Sequence, residues 1–167
     1  MKLYIFIYSF SPIYVRLRFM DKSRQYILMC KRSKEIQSLW EPKTGDFYAD
    51  INQEVHCYFP DPTRTETIKS GFGISSGKRV TTLSPLVWLP KLDQLIEAAQ
   101  IQGCCFRDTS FQFYEWVKIP YGKSGTPANR HFSSLEQVWL AFIMNNRFSK
   151  LWENDTWNSM ELLPVYS

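Results

Sequence analysis

Two histidines and four cysteines are the most reactive side chains of this sequence: His56, His131, Cys30, Cys57, Cys104 and Cys105. Structural zinc wants four ligands, often as pairs two to four residues apart. His56-Cys57 and Cys104-Cys105 are adjacent instead, and neighbours in a strand point to opposite faces. A cysteine nucleophile and a histidine base need only meet in space. With two His and four Cys, chance alone supplies those ingredients. Buried or edge thiols are the simpler reading, so no catalytic residue, metal or cofactor is assigned.

Two stretches end like phosphate loops, and both fail on spacing. In Gly73–Arg79, Phe72 stands where the first Gly belongs and Arg79 replaces the metal-binding hydroxyl. In Gly122-Lys123-Ser124, Val117 occupies the first Gly position. Asp93-Gln94 and Glu136-Gln137 offer carboxylates for acid–base work. Local helix hydrogen bonds, or links between packed helices, explain them more simply. Of the six Trp, Trp40, Trp88 and Trp139 sit in or beside apolar runs and read as core. Trp152 and Trp157 lie beside polar residues, so they are the expected candidates for an exposed partner surface.

The 167 residues suit one domain, and an apolar share of 44% excludes a disordered composition. No secretory pattern accompanies the cysteines, which therefore read as free thiols in a reducing cytoplasm. The net charge is +4, but residues 1–19 carry three cations and no acid, leaving +1 for the rest. Net charge alone is thus weak support for a polyanion partner. Within residues 1–19 the apolar run is Leu3 to Val15, interrupted by Ser9, Ser11 and Pro12 and too short to span a bilayer. Met20 reads as the true initiator, and residues 1–19 as a non-native or disordered extension. A peripheral membrane anchor and a genuine first strand are the alternatives. Residues 20–160 form the expected single domain, and 161–167 a tail.

The elements that must position these residues follow from periodicity. Asp21 to Trp40 predicts a first helix, with Met29, Ile36 and Trp40 near one face. Lys22, Arg24, Lys31, Arg32 and Lys34 lie on the other face, either as a solvated surface or as nucleic-acid contacts. Pro42 and Gly45 end it. Residues 47–51 and 55–59 predict two strands about a turn at Asn52-Gln53. Val80 to Trp88 reads as a strand, Pro90 to about Gln102 as a second helix, and Cys104 to Ile119 as another strand. Ser133 and Glu136 have the spacing of a capping box. The seven apolar residues from Val138 to Met144 leave the following helix apolar almost all round, so it must be buried. The expected fold is α+β, a small antiparallel sheet against about three helices, with the buried helix near 134–148.

Three segments together resemble a family. They are Trp40-Glu41-Pro42-Lys43-Thr44-Gly45-Asp46, Trp88-Leu89-Pro90-Lys91-Leu92-Asp93-Gln94-Leu95, and Glu136-Gln137-Val138-Trp139-Leu140-Ala141-Phe142-Ile143-Met144. They look like small uncharacterised proteins of phage and prophage genomes of Gram-positive bacteria, which begin near the equivalent of Met20. Lys91 stands where those proteins usually carry Arg. The resemblance covers roughly residues 24–157. It implies a phage or prophage setting and no activity, so no functional residue is carried over.

The expectation is therefore a cytoplasmic, non-enzymatic interaction protein with an unknown host or phage protein as partner. A nucleic-acid-binding factor using the basic helix face is second, and a small enzyme of unidentified site third.

Overall fold

The computed structural model describes residues 20–59, 86–100, 105–122 and 125–160. Its architecture is α+β. Helices α1 (Arg24–Arg32), α2 (Lys34–Gln37), α3 (Leu92–Ala99), α4 (Phe106–Trp116), α5 (Ala128–His131) and α6 (Leu135–Phe148) surround small antiparallel sheets. Strands β1 (Phe47–Ala49), β2 (Val55–Cys57) and β3 (Val87–Leu89) form one sheet in the order β2-β1-β3. Two hairpins follow, β4 (Pro120–Tyr121) with β5 (Thr126–Pro127), and β6 (Lys150–Glu153) with β7 (Thr156–Ser159).

Helix α6 is the spine, as its apolar circumference requires. Every residue from Gln137 to Met144 is buried. α3 packs along it, and α1, α4 and α5 touch other parts of it. Its start lies one residue later than the sequence suggests. Ser134 caps it by accepting from the Gln137 amide at 3.2 Å, while Gln137 Oε1 accepts from the Ser133 amide at 3.2 Å. Ser134 and Gln137 satisfy the same capping spacing as Ser133 and Glu136. Tertiary structure selects between them, because the neutral Gln137 can be wholly buried. Its Nε2 donates to Asp21 Oδ2 at 2.7 Å and to Ser23 Oγ at 3.1 Å. Ser23 caps α1. Asp21 thus sits between the starts of α1 and α6, where two sets of exposed amide donors favour a negative charge.

The first helix is broken rather than continuous. Ser33 is fully buried at φ −90°, ψ 78°, and its hydroxyl donates to the Cys30 carbonyl at 2.8 Å. A serine bonded to the preceding turn offers the backbone an alternative to helix. α2 then swings Gln37 against the free edge of β3. Gln37 Nε2 donates to the Trp88 carbonyl at 3.0 Å, and Gln37 Oε1 accepts from the Trp88 amide at 2.8 Å. One buried amide side chain thereby closes an edge that would otherwise expose unpaired backbone groups.

The segment expected as a strand between Cys104 and Ile119 is helix α4. Its aromatic residues have strand propensity, but that preference yields to packing. Thr109, Phe113, Trp116 and Val117 recur at helical spacing toward α6. Phe113 stacks on Trp139 with ring centroids 3.9 Å apart, and Trp116 Nε1 donates to Asn145 Oδ1 at 2.8 Å. The expected strand near Val80 is represented by β3 at its end; residues 60–85 lie outside the described residues, as do 1–19 and 161–167. No helix among the described residues is long and apolar enough to cross a membrane.

Candidate functional site

Trp152 and Trp157 do not form an exposed surface; they are 3% and 9% exposed. Asn154 and Asp155 both adopt positive φ, 53° and 58°, the geometry of a tight two-residue hairpin turn. That turn places Trp152 directly opposite Trp157, so both rings emerge on one face, 5.0 Å apart. The face turns inward: Trp157 Nε1 donates to the Met29 carbonyl of α1 at 3.0 Å, and the Trp152 amide donates to Tyr121 Oη at 2.8 Å.

The polar rim of the same hairpin bounds a cleft of about 430 Å³, lined by Gln25, Tyr121, His131, Glu153 and Asp155 among others. Gly122, at φ +56°, belongs to this wall, and a Cβ there would collide with the Glu153 carboxylate. Burial pushes the Tyr121 phenol up to about 12, which removes it as a base near neutrality. The cleft is of small-molecule size, and its walls mix polar and apolar surface in near-equal share.

A second hollow, about 190 Å³, gathers residues of the 40–46 and 88–95 segments. Asp46, only 3% exposed, is its centre. Asp46 Oδ2 accepts from Trp40 Nε1 at 3.0 Å and from the Lys43 amide at 2.9 Å, and Oδ1 accepts from Gln94 Nε2 at 2.7 Å. Gly45 at φ +89° makes the turn that delivers Asp46. Trp40 and Trp88 lie parallel with centroids 6.3 Å apart. Gln94 Oε1 also accepts from the Lys91 amide at 2.9 Å. The Asp-Gln and Glu-Gln pairs therefore work through their glutamines as cross-links between elements. Burial, followed by the charge of Asp21, holds the Glu136 carboxyl above its ordinary range.

The described thiols differ in their surroundings. Burial pushes the Cys30 thiol far up, out of reach of thiolate chemistry. Cys57 is half-buried, and the exposed Cys105 donates from Sγ to Asp108 Oδ2 at 3.2 Å. Cys104 lies outside the described residues, as do residues 73–79 and the Lys123-Ser124 pair of the two failed phosphate loops.

The break after α1 divides the basic residues: Arg24, Lys31 and Arg32 lie on α1, Lys34 on α2, and Lys22 before α1. Lys22, Arg24, Lys31, Arg32 and Lys34 are all exposed. Arg24 and Lys31, seven residues apart, share one ridge of α1. Arg32 Nη1 donates to the Asp155 carbonyl across the molecule, and Lys22 Nζ lies 5.3 Å from the centroid of Phe47.

Two groupings escaped the sequence reading. One is the outer ridge of α4. Thr109 is the one buried residue of this eleven-residue helix. Arg107, Phe111, Tyr114 and Lys118 follow the i, i+4, i+7, i+11 spacing of a single outward ridge. Phe111 is 64% exposed and Tyr114 50%, with Phe106 and Ile119 exposed at the ends of the segment. Lys118 Nζ sits 3.6 Å from the Tyr114 ring centroid and 2.8 Å from Glu115 Oε1. The helical spacing was legible, but assigning this segment as a strand hid it. The other is Asp50, Glu54 and His56, whose ligand atoms lie within 4.8 Å of one another. A two-residue turn at Asn52-Gln53 would pair Asp50 with Val55 and set it on the other face; the observed three-residue turn pairs Asp50 with Glu54 and brings all three together.

No protein-family model, curated protein or solved structure matches this chain.

Proposed function

We propose that this chain is a non-enzymatic phage or prophage accessory protein that binds another protein through the outer ridge of α4. The carrying observation is the exposure of Phe111 and Tyr114 on a helix that buries so little of itself. Paired aromatics flanked by Arg107 and Lys118 have the composition of an interface centre with a charged rim. The arrangement suits insertion of a helix ridge into an apolar groove with acidic edges. The phage or prophage setting rests on the resemblance of the three sequence segments, and the interaction site moves from Trp152 and Trp157 to α4.

The test is photo-crosslinking in phage-bearing cells from Phe111→p-benzoylphenylalanine. A discrete protein adduct is expected, and it should fade when Arg107→Glu and Lys118→Glu are added. If neither position 111 nor position 114 yields an adduct while the protein is folded and abundant, the ridge is no docking site.

A second reading is favoured by the exposed basic rim of α1: Lys22, Arg24, Lys31, Arg32 and Lys34 would contact nucleic-acid phosphates. Such binding weakens with salt in proportion to the phosphates neutralised. Titrating mixed-sequence DNA and RNA at low salt separates the readings. Binding that is lost in Lys31→Glu/Arg32→Glu supports this one, and no binding rules it out.

A further inference from the structure

We propose that Asp50, Glu54 and His56 form a surface site for one divalent transition-metal ion of the zinc type. β1 and β2 pair with Tyr48 opposite His56 and Ala49 opposite Val55. The register continues to Asp50 opposite Glu54, whose carbonyl accepts from the Asp50 amide at 3.0 Å. Alternation in a strand then puts Tyr48, Asp50, Glu54 and His56 on one face of the hairpin. Cys57, the soft ligand next in sequence, has the opposite parity.

The donors are also held apart by the right amount. Ligand atoms about 2.1 Å from a tetrahedral zinc ion lie about 3.4 Å from each other. Asp50 Oδ2 and His56 Nε2 are 3.3 Å apart. Glu54, exposed and unbranched, must shift by little more than an ångström to bring its carboxylate in, since all three ligand atoms already lie within 4.8 Å.

Both inner ligands are oriented by groups outside the ligand set. Asp50 Oδ1 is occupied by the Asn52 amide at 2.8 Å and the Glu54 amide at 2.9 Å, which turns Oδ2 toward His56. The His56 ring stacks on Tyr48 with centroids 5.4 Å apart. Tyr48 leans on Trp40 at 6.3 Å, so the imidazole is braced from the core side. Such supporting contacts are what tune a metal ligand.

One imidazole nitrogen with two carboxylate oxygens selects the ion class. Calcium and magnesium prefer all-oxygen shells, and copper(I) prefers sulfur; a mixed nitrogen and oxygen set suits zinc, manganese, iron(II) or nickel. Three protein donors leave at least one coordination position open to solvent, for water or for a ligand from a bound molecule. Binding replaces the His56–Asp50 hydrogen bond by two metal bonds; the Nε2 proton is lost to solvent, and the neutral imidazole keeps its hydrogen on Nδ1.

The experiment is calorimetric titration of Zn²⁺ into the full chain carrying no affinity tag. One ion per chain is expected. His56→Gln, Glu54→Gln and Asp50→Asn should each weaken binding at least ~10-fold, the smallest loss seen when mere supporting partners of a ligand are removed. Asp50→Asn keeps an oxygen for the two turn amides, so the hairpin survives the change. Cys57→Ser and His131→Gln should leave affinity unchanged. Absence of saturable binding overturns the site. So does binding that persists in His56→Gln, or that disappears in Cys57→Ser, because the ion would then be elsewhere.

Discussion

Phe142→Ala is expected to lower the unfolding free energy by about 3–5 kcal/mol and the melting temperature by roughly 10 °C. Phe142 is 2% exposed and stands where four rings meet. Phe113 lies edge-on at 5.5 Å, Trp139 edge-on at 5.7 Å, and Trp116 at 5.5 Å. Deleting the ring removes its burial and leaves a cavity that three large, rigid neighbours cannot collapse to fill. The loss also strikes the seat of α4, because Phe113 and Trp116 are its main anchors on α6. Urea unfolding followed by tryptophan fluorescence measures it. A loss below ~1 kcal/mol would mean that the ring cluster is not packed as described.

Asp46→Ala is expected to cost about 3 kcal/mol, although no apolar group is removed. Three donors depend on that carboxylate: Trp40 Nε1, the Lys43 amide and Gln94 Nε2. With the acceptor gone, each is buried or half-buried without a partner, and unsatisfied donors carry the full desolvation penalty. Asp46→Asn should lose less, about 1–2 kcal/mol, because one oxygen remains while the new NH₂ faces a donor. Chemical denaturation of both variants against the parent gives the ranking. Equal stability of all three would show that the turn does not depend on this carboxylate.

The motif segments show how far a sequence can be read. Trp40, Asp46, Trp88 and Gln94 come from two separate segments, and the structure joins them. Trp40 and Gln94 both donate to Asp46, and Trp88 lies parallel to Trp40. None of this is chemistry on a substrate. The hollow they enclose is a structural joint between the turn after α2, β3 and α3.

Where the reading went astray, the reason is physical. In α4, Phe111, Phe113, Trp116 and Val117 carry strand propensity, and their weak alternation looked extended. Their partner, α6, is recruited from more than twenty residues away, and only its aromatic surface makes the helical stripe of Thr109, Phe113 and Trp116 pay off. The hidden helix concealed in turn the exposed ridge of Phe111 and Tyr114, now the proposed docking surface. For Trp152 and Trp157, polar neighbours suggested exposure. Pairing across a two-residue turn instead sent both rings inward, beneath α1.

From residue types and spacing alone came the buried helix near 134–148, the Gly45 turn, the β1–β2 hairpin, the second helix and the α+β class. Each depends on a local period or a local backbone requirement, which neighbours in sequence already contain. Only the tertiary structure decided which serine caps α6, where the first helix breaks, which faces of α4 and of the final hairpin meet water, and that Asp50, Glu54 and His56 converge. Those outcomes depend on partners distant in the chain, or on the register between strands, and neither is encoded in a run of neighbouring residues.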